Sequence, residues 1–442
     1  MSSESGQRVV IVGGGFAGFE CARKLCKIMA ARGRDIEIVL ITKQDYMLYT
    51  PLLPDVAGGA IDPRFVTISL ADALPAVKLV VGAVESVDTE ARTVTVTREH
   101  HEATELAYDR LVLTPGSVTR LFDIPGLHEH ARGLKTVAEA LYLREQLLHQ
   151  LESADDETDE QVRRARRTVV VVGASYAGTE LIAQLRALAD TYAARRDLPR
   201  EEIRFLLLDT AKQVMPEVGA KLGDRVLEVL RARGVEIRLE TTLKSVADDH
   251  VVLTDDTVVP TRTVAWVTGV TGAPLLESLG LPLERGRLVV DAHLRVPDHP
   301  DIFAAGDAAA VPDLVKGEGQ ITPPTAQHAG RQGKVLARNV AASLGEGVAV
   351  PYRHRDLGLV VDLGPGFAVA NPLGKQLSGW PAKAVTRFYH TYALPRGVNR
   401  WAVTLSYLTT AVTPRPLTRL GLVSAEEAGF RDSEGIPEPA SS

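Results

Sequence analysis

Cysteine is close to absent, with two, Cys21 and Cys26, in 442 residues. A disulfide-stapled scaffold is thereby excluded, and a reducing compartment is expected. Clustered positive charge is missing as well: 50 Lys and Arg are outnumbered by 56 Asp and Glu, for a net charge of −6. A phosphate backbone calls for the opposite balance, so no nucleic-acid partner is expected. No run approaches the ~18 consecutive apolar residues of a membrane-crossing helix. The opening MSSESGQR has no apolar leader, so the chain is expected to stay in the cytoplasm. His and Cys show no ligand spacing, and no metal site is expected. What remains, 45% apolar and 24% charged residues, describes a globular chain of two or three domains.

The segment RVVIVGGGFAGFECARKL is a short β-branched run, a cluster of glycines, then helix formers. This is strand, tight turn and helix. Gly13, Gly15 and Gly18 hold the Gly-x-Gly-x-x-Gly spacing. In that pattern the first glycine permits the turn, the second lets a pyrophosphate approach the backbone, and the third lets helix and strand pack closely. The loop from Gly13, Gly14, Gly15, Phe16 and Ala17 to Gly18 is therefore a dinucleotide cradle. The next strand, Glu37 to Ile41, ends in Thr42 and Lys43 where such a site usually has an acid for the adenosine ribose. Thr42 can still offer a hydroxyl.

The pattern recurs in RRTVVVVGASYAGTELIAQL, with Gly173, Ser175 and Gly178 after the strand Thr168 to Val172 and with Tyr176 and Ala177 inside the turn. Two such folds imply two dinucleotides. Ser175 in place of the middle glycine limits backbone approach but can donate to a phosphate. After an inserted helical stretch, roughly Arg186 to Glu202, the strand IRFLLLD ends in Asp209. Its carboxylate suits a free ribose diol and repels a 2′-phosphate, which favours NADH over NADPH, with Lys212 keeping NADPH open.

Between the folds, Arg110 to Thr114 reads as a crossover strand ending at Pro115 and Gly116. Ala138 to Leu151 has helical periodicity, and ESADDETDE followed by RRARR reads as a solvated linker. The strand Ile302 to Ala305 runs into Gly306 and Asp307, expected at a helix start, where an acid can bind a ribityl hydroxyl. The Cys-x4-Cys pair resembles the dithiol of enzymes such as glutathione reductase, but it follows the first glycine loop, near phosphates, and is read as packing.

The order of first turn, crossover strand, second turn and Gly-Asp segment resembles the flavoproteins with two dinucleotide folds. Within them the chain most resembles the type II NADH dehydrogenases, single-subunit NADH:quinone oxidoreductases, from about Val9 to Leu420. The motifs DYMLYTPLLPDVAGGAIDP, TPPTAQHAGRQGKVLARNV and YRHRDLGLVVDLG carry the resemblance. It implies an α/β fold with two Rossmann-like domains of the glutathione-reductase-like flavoprotein kind, FAD as cofactor and NADH as substrate. It also implies that Thr50, Pro51 and Leu52 lie beside the flavin, Val84 near its adenine and Thr114 and Gly116 along its path, with Asp307 on the ribityl chain. Ala326 and Gln327 would open a helix facing the flavin's pyrimidine end, Gly269 and Val270 would lie under the nicotinamide, and Glu180 would be an acid near both rings. Glu180 and Gln327 are thus the expected catalytic residues, and the bland alternative for Glu180 is a solvent-exposed helix glutamate. One departure stands out: the family's Ala-Gln-x-Ala-x-Gln has Arg331 in place of its second glutamine. Gln332 is shifted by one position, a rotation of ~100° on a helix, so it does not substitute for that glutamine, and two acceptors stay open: a quinone whose oxygen pairs with Arg331, or a different electron carrier.

Leu363 to Ala425 holds seven bases (Lys375, Lys383, Arg387, Arg396, Arg400, Arg415 and Arg419) and no acid. Two apolar stripes run through it at helical spacing, Val385, Phe388, Tyr389 and Tyr392, then Val398, Trp401, Leu405, Leu408 and Val412. A basic amphipathic segment with aromatic residues can lie on a bilayer, here the inner face of the cell membrane. Packing on the protein's own core, or on a second copy as a homodimer, is the alternative. The expected division is residues 1–125 and 296–350 for FAD, 126–295 for NADH, and 351–442 for the interface region with a disordered tail, RDSEGIPEPASS. Two other functions stay open: a soluble NADH-dependent flavin reductase serving a protein electron carrier, and a redox-sensing NADH-binding flavoprotein.

Overall fold

The computed structural model describes residues 6–354 and 357–437. Arg355 and Asp356 of the third family-like motif, and the last five residues of the tail, lie outside the described residues. The chain divides into two compact units. One comprises residues 1–49, 67–118 and 270–355, and the other 50–66, 119–269 and 356–442.

The first unit is built on a five-stranded parallel sheet in the order Ile302–Ala304, Arg110–Leu113, Arg8–Val12, Glu37–Thr42, Lys78–Val81. Its central strand is apolar without alternation because helices cover both faces of such a sheet; Val9, Val10 and Ile11 are fully buried. The helix Phe16–Ala31 follows that strand, and the helix Ala326–Ser343 packs along it. A Cβ at Gly333 would sit 2.3 Å from the Ala17 carbonyl oxygen, so the absence of a side chain sets how closely these helices approach. A three-stranded antiparallel sheet, Ala83–Asp88, Thr93–Thr97 and Thr104–Ala107, completes the scaffold.

The second unit repeats the plan. Its parallel sheet runs Ala131–Arg132, Thr263–Trp266, Thr168–Val172, Arg204–Leu208, Val235–Arg238. Its antiparallel sheet is Leu243–Val246, His250–Leu253 and Val258–Pro260. The helix after the second glycine turn is one continuous element, Tyr176–Arg196, so the inserted stretch expected from Arg186 onward is its extension. The charged segment is largely exposed, as expected, but it is mostly helical and not an irregular linker. The helix Val137–Asp155 runs into it, Glu160–Arg166 forms a further helix, and Arg167 pairs with Asp155 and Glu202.

The C-terminal region of this unit holds a small sheet (Val360–Asp362, Ala368–Ala370, Leu377–Ser378) and the helices Trp380–Ala393 and Gly397–Val412. No helix among the described residues is long and apolar enough to cross a membrane. The tail departs from expectation through Pro437. Phe430–Glu434 is a helix, and Phe430 is fully buried with Trp266, Leu206 and Val170. A polar segment with one large apolar anchor is ordered by that anchor, which composition alone does not register.

Candidate functional site

The two glycine turns share one backbone. Gly13 and Gly173 take φ of +100° and +110°, a region that side chains disfavour. Cβ atoms on Gly18 and Gly178 would lie 1.9 and 1.8 Å from the carbonyl oxygens of Gly13 and Gly173. The N-cap residues match as well, Gly15 at φ −71°, ψ −167° and Ser175 at φ −80°, ψ −167°. Ser175 therefore occupies the middle position without strain. Neither helix start has a capping side chain or an acid in its first turn, which leaves amides and the positive end of the helix dipole for an anion. No atom lies within 4 Å of a Cβ built on Gly15, so a phosphate has room there. The donor set fits a dinucleotide at each turn.

The strand ends differ. Thr42 is nearly buried, with its hydroxyl 2.9 Å from the Cβ position of Gly14, whereas Lys43 is exposed. Asp209 accepts the amides of Ala174 at 2.5 Å and Ala211 at 2.7 Å. The carboxylate thus fastens the second turn and keeps lone pairs for a diol. Val84 lies in the strand Ala83–Asp88, and Tyr176 and Ala177, like Phe16 and Ala17, open their helices. Thr50, Pro51 and Leu52 form a 3-10 turn that opens the second unit, ahead of the helix Leu53–Ala57. Gly269, at φ +124°, ends a segment of that unit, and Val270 begins a strand of the first.

Within the first unit, the structure gathers Thr114, Gly116, Ser117, Gly306 and Asp307 at the strand ends. The Thr114 hydroxyl donates to Val12 O at 2.9 Å, and Ser117 donates to Asp307 at 2.7 Å. Gly306 and Asp307 form a single 3-10 turn leading into a strand, not the helix start expected from the sequence. The turn is held from outside: buried Gln332 accepts the Gly306 amide at 2.7 Å and donates to Thr322 at 3.0 Å. Gln332 is thus a structural clamp that points away from the position it neighbours in sequence. Arg331 instead donates to Gln327 at 3.1 Å, so Arg331 and Gln327 present a joined cation and amide. Both Ala326 and Gln327 stand at the start of the helix capped by Thr325. Ser117, Gln332 and Arg287, which donates to the Asp307 carbonyl, were missed from sequence because their neighbours are distant along the chain. The cysteines are packing residues. Cys21 is buried, and burial and neighbouring Cys26 push its thiol far up.

In the second unit Glu180 is no surface residue. Its carboxylate accepts the Asp362 amide at 2.7 Å. Burial pushes its pKa well above the carboxylate range, and Asp362 and Asp55 add to the effect. Around it lies a polar cluster that the sequence did not disclose. The Gln184 amide donates to Asp55 at 3.1 Å, Lys383 grips both Asp362 oxygens at 2.5 Å, and Arg415 donates to Gln184 and to Gly58 O. Three acids, Glu180, Asp55 and Asp362, face two buried bases. Burial and Asp362 push Asp55 up to about 7, so the excess negative charge is relieved by protons.

The same cluster corrects the charge count of the C-terminal region, since Lys383 and Arg415 are buried inside it and Arg419 pairs with Glu152. The apolar stripes divide too. Val385 packs inward, whereas Phe388, Tyr392, Val398, Trp401, Leu405, Leu408 and Val412 are exposed, Trp401 by 72%.

Two parallel sheets, each with a glycine turn at a helix start, define the class of proteins with two dinucleotide folds. Residues 7–333 match the model of the pyridine nucleotide-disulphide oxidoreductase family. The chain is 31% identical to the demethylphylloquinone reductase of Synechocystis, over 91% of this chain and 96% of that one. It is also 31% identical to a type II NADH:quinone oxidoreductase of Mycobacterium tuberculosis, over 92% of this chain and 89% of that one. The fold matches the NDH2 of Plasmodium falciparum in complex with NADH, with a TM-score of 0.84, 17% identity, and coverage of 93% of this chain and 99% of that one. The chain belongs to the pyridine nucleotide-disulphide oxidoreductases and, among them, to the type II NADH dehydrogenases.

Proposed function

We propose that the chain is an NADH:quinone oxidoreductase that uses FAD and works on a membrane surface without pumping protons. The observation that carries this reading is the pair of matched anion-binding turns, one followed by a neutral strand end and the other by Asp209. The first, Gly13 to Gly18 with Thr42, Lys43, Val84, Thr114, Gly116, Asp307 and Gln327, would hold FAD. The second, Gly173 to Ala177 with Asp209, Gly269 and Val270, would take NADH. FAD held there would supply the hydride-accepting and two-electron chemistry that links the nicotinamide to an acceptor.

The chain's own residues supply alignment and protons. Glu180, whose pKa burial raises, is a proton donor for the acceptor, and Asp55, raised as well, is a second acid of the same cluster able to carry a proton. Arg331 and Gln327 together offer a charge-assisted donor to a quinone oxygen. The exposed stripe of Trp401, Leu405 and Leu408 supports attachment to a bilayer through burial of apolar side chains. With Lys383 and Arg415 internal, attraction to anionic lipid is the weaker contribution.

Anaerobic mixing of the yellow protein with NADH tests the first half, and addition of a water-soluble short-chain quinone tests the second. Bleaching followed by recovery is the expected result. Bleaching without recovery sends the search to a protein carrier or a sensing role, and no bleaching overturns the proposal. Co-flotation with vesicles, lost on Trp401→Ser with Leu405→Ser, tests the membrane surface. Absence of flotation together with a doubled mass in solution would assign the stripe to a homodimer.

A further inference from the structure

The C-terminal helix is fastened at an unusual contact between two acids. Glu139, fully buried in the helix Val137–Asp155, caps that helix's start: one of its oxygens accepts the amides of Lys135 at 2.7 Å and Thr136 at 2.9 Å. Its other oxygen accepts Ser433 from the tail helix and faces Glu434. Glu434 accepts the amide of Thr119 at 2.5 Å through one oxygen. Its second oxygen is buried with no donor facing it. These two facing oxygens converge on Gly133, where a Cβ would stand 2.4 Å from that of Glu139 and 3.0 Å from that of Glu434. Gly133 leaves the space in which the two carboxyls meet.

Two adjoining carboxylates with buried facing oxygens repel one another, and a buried oxygen without a donor is unfavourable. A single proton between them removes both penalties. We infer that Glu139 and Glu434 share one proton, and that this pair is a pH-sensitive latch fastening the C-terminal helix to the second unit. Among the described residues Arg132 acts on Glu139 through space and forms no ion pair with either acid. Of the charged and titratable groups around it, Arg132 is stacked over Tyr142 and donates to the carbonyls of Glu129 and Ala131, and the Lys135 contact is through its amide. His128 lies edge-on to Phe430, and Arg431 and Asp432 are on the tail helix itself. Burial and then Glu434 push the Glu139 carboxyl up.

An acid whose pKa is raised by docking holds its proton more firmly docked than free. Docking is therefore strongest in acid and weakens by up to about tenfold per pH unit between the ordinary and the raised value. Opening withdraws Phe430 from a core that includes Val172, the last strand residue before the second glycine turn.

The test is trypsin cleavage after Arg431, which requires the helix to open, measured on the full-length protein from mildly acidic to alkaline pH. Each wild-type rate is divided by that of Glu434→Gln at the same pH, which cancels the protease's own pH response. A glutamine can accept from Thr119 and donate to Glu139, and so reproduces the protonated pair permanently. The expected ratio climbs by up to about tenfold per pH unit, and Glu139→Gln gives the same result. A ratio that stays flat overturns the latch. So does rapid cleavage of both amide variants at every pH, because a mimic of the shared proton must dock.

Discussion

The two glycine turns begin alike and diverge shortly after their last glycine. Gly18 and Gly178 are each followed, at the second position, by a glutamate: Glu20 in the first unit and Glu180 in the second. Glu20 pairs with Arg23 one helical turn on, at 2.7 Å. Glu180 has no base at its own i+3, where the residue is Ala183, and it meets the Asp362 amide in a buried cluster. The same residue at the same register is half of an ion pair in one fold and an acid with a raised pKa in the other. A turn motif therefore fixes backbone and anion binding, while the elements packed on it decide the chemistry. The strand ends teach the same lesson: Thr42 is neutral, and Asp209 is an acid engaged with its own turn.

The comparison breaks most sharply if the turns are exchanged as targets. Gly18→Val places side-chain atoms against the Gly13 carbonyl, a clash worth roughly 3 kcal/mol or more, and is expected to yield colourless protein without flavin. Gly178→Val meets an equivalent clash but should stay yellow while its bleaching by NADH slows by roughly 10²-fold or more. Absorbance of the purified proteins and stopped-flow bleaching separate the two; loss of flavin from both would mean that the turns do not divide the labour.

The glutamates sharpen it next. Glu180→Gln should slow quinone-driven reoxidation by roughly 10²-fold and flatten its decline as pH rises through the raised pKa of the acid. Glu20→Gln should leave both half-reactions unchanged. Asp209→Asn is expected to raise KM for NADH roughly tenfold and to narrow the preference over NADPH, read from steady-state rates with each nucleotide.

A smaller effect comes from the cluster behind Glu180. Because the Asp55 pKa is raised in the folded state, that state binds the proton more tightly than the unfolded chain. Stability is therefore lost as pH climbs from the ordinary Asp range to about 7, by at most about 1.4 kcal/mol per pH unit. Asp55→Asn removes this slope. Its Tm relative to wild type should rise between mildly acidic and neutral pH; a constant difference would show that Asp55 does not titrate there.

Both turns, both parallel sheets and the family were legible because they are written locally, in glycine spacing and continuous β-branched runs such as Thr168–Val172. What was not legible depends on distant partners. Lys383 and Arg415 counted as surface charge, since composition cannot say that each faces a buried acid or amide. The tail read as disordered because a single residue, Phe430, anchors it. Gln332 shows the finest limit: the one-position shift was visible, but its clamp on Gly306 required the Gly306–Ala308 turn to be in place.

That shift leads to the smallest effect and the most specific one. If Arg331 stands where the family has glutamine because it cooperates with Gln327, then Arg331→Gln removes a charge from the acceptor side and leaves the nucleotide side intact. The Gln332 clamp is untouched, so the Gly306–Asp307 turn and flavin content should not change. KM for a short-chain quinone is expected to shift by roughly threefold, with NADH bleaching unaltered. A change in the NADH half-reaction instead would place Arg331 in the service of the flavin, and the first unit, like the second, would then tune its cofactor with a residue outside its glycine turn.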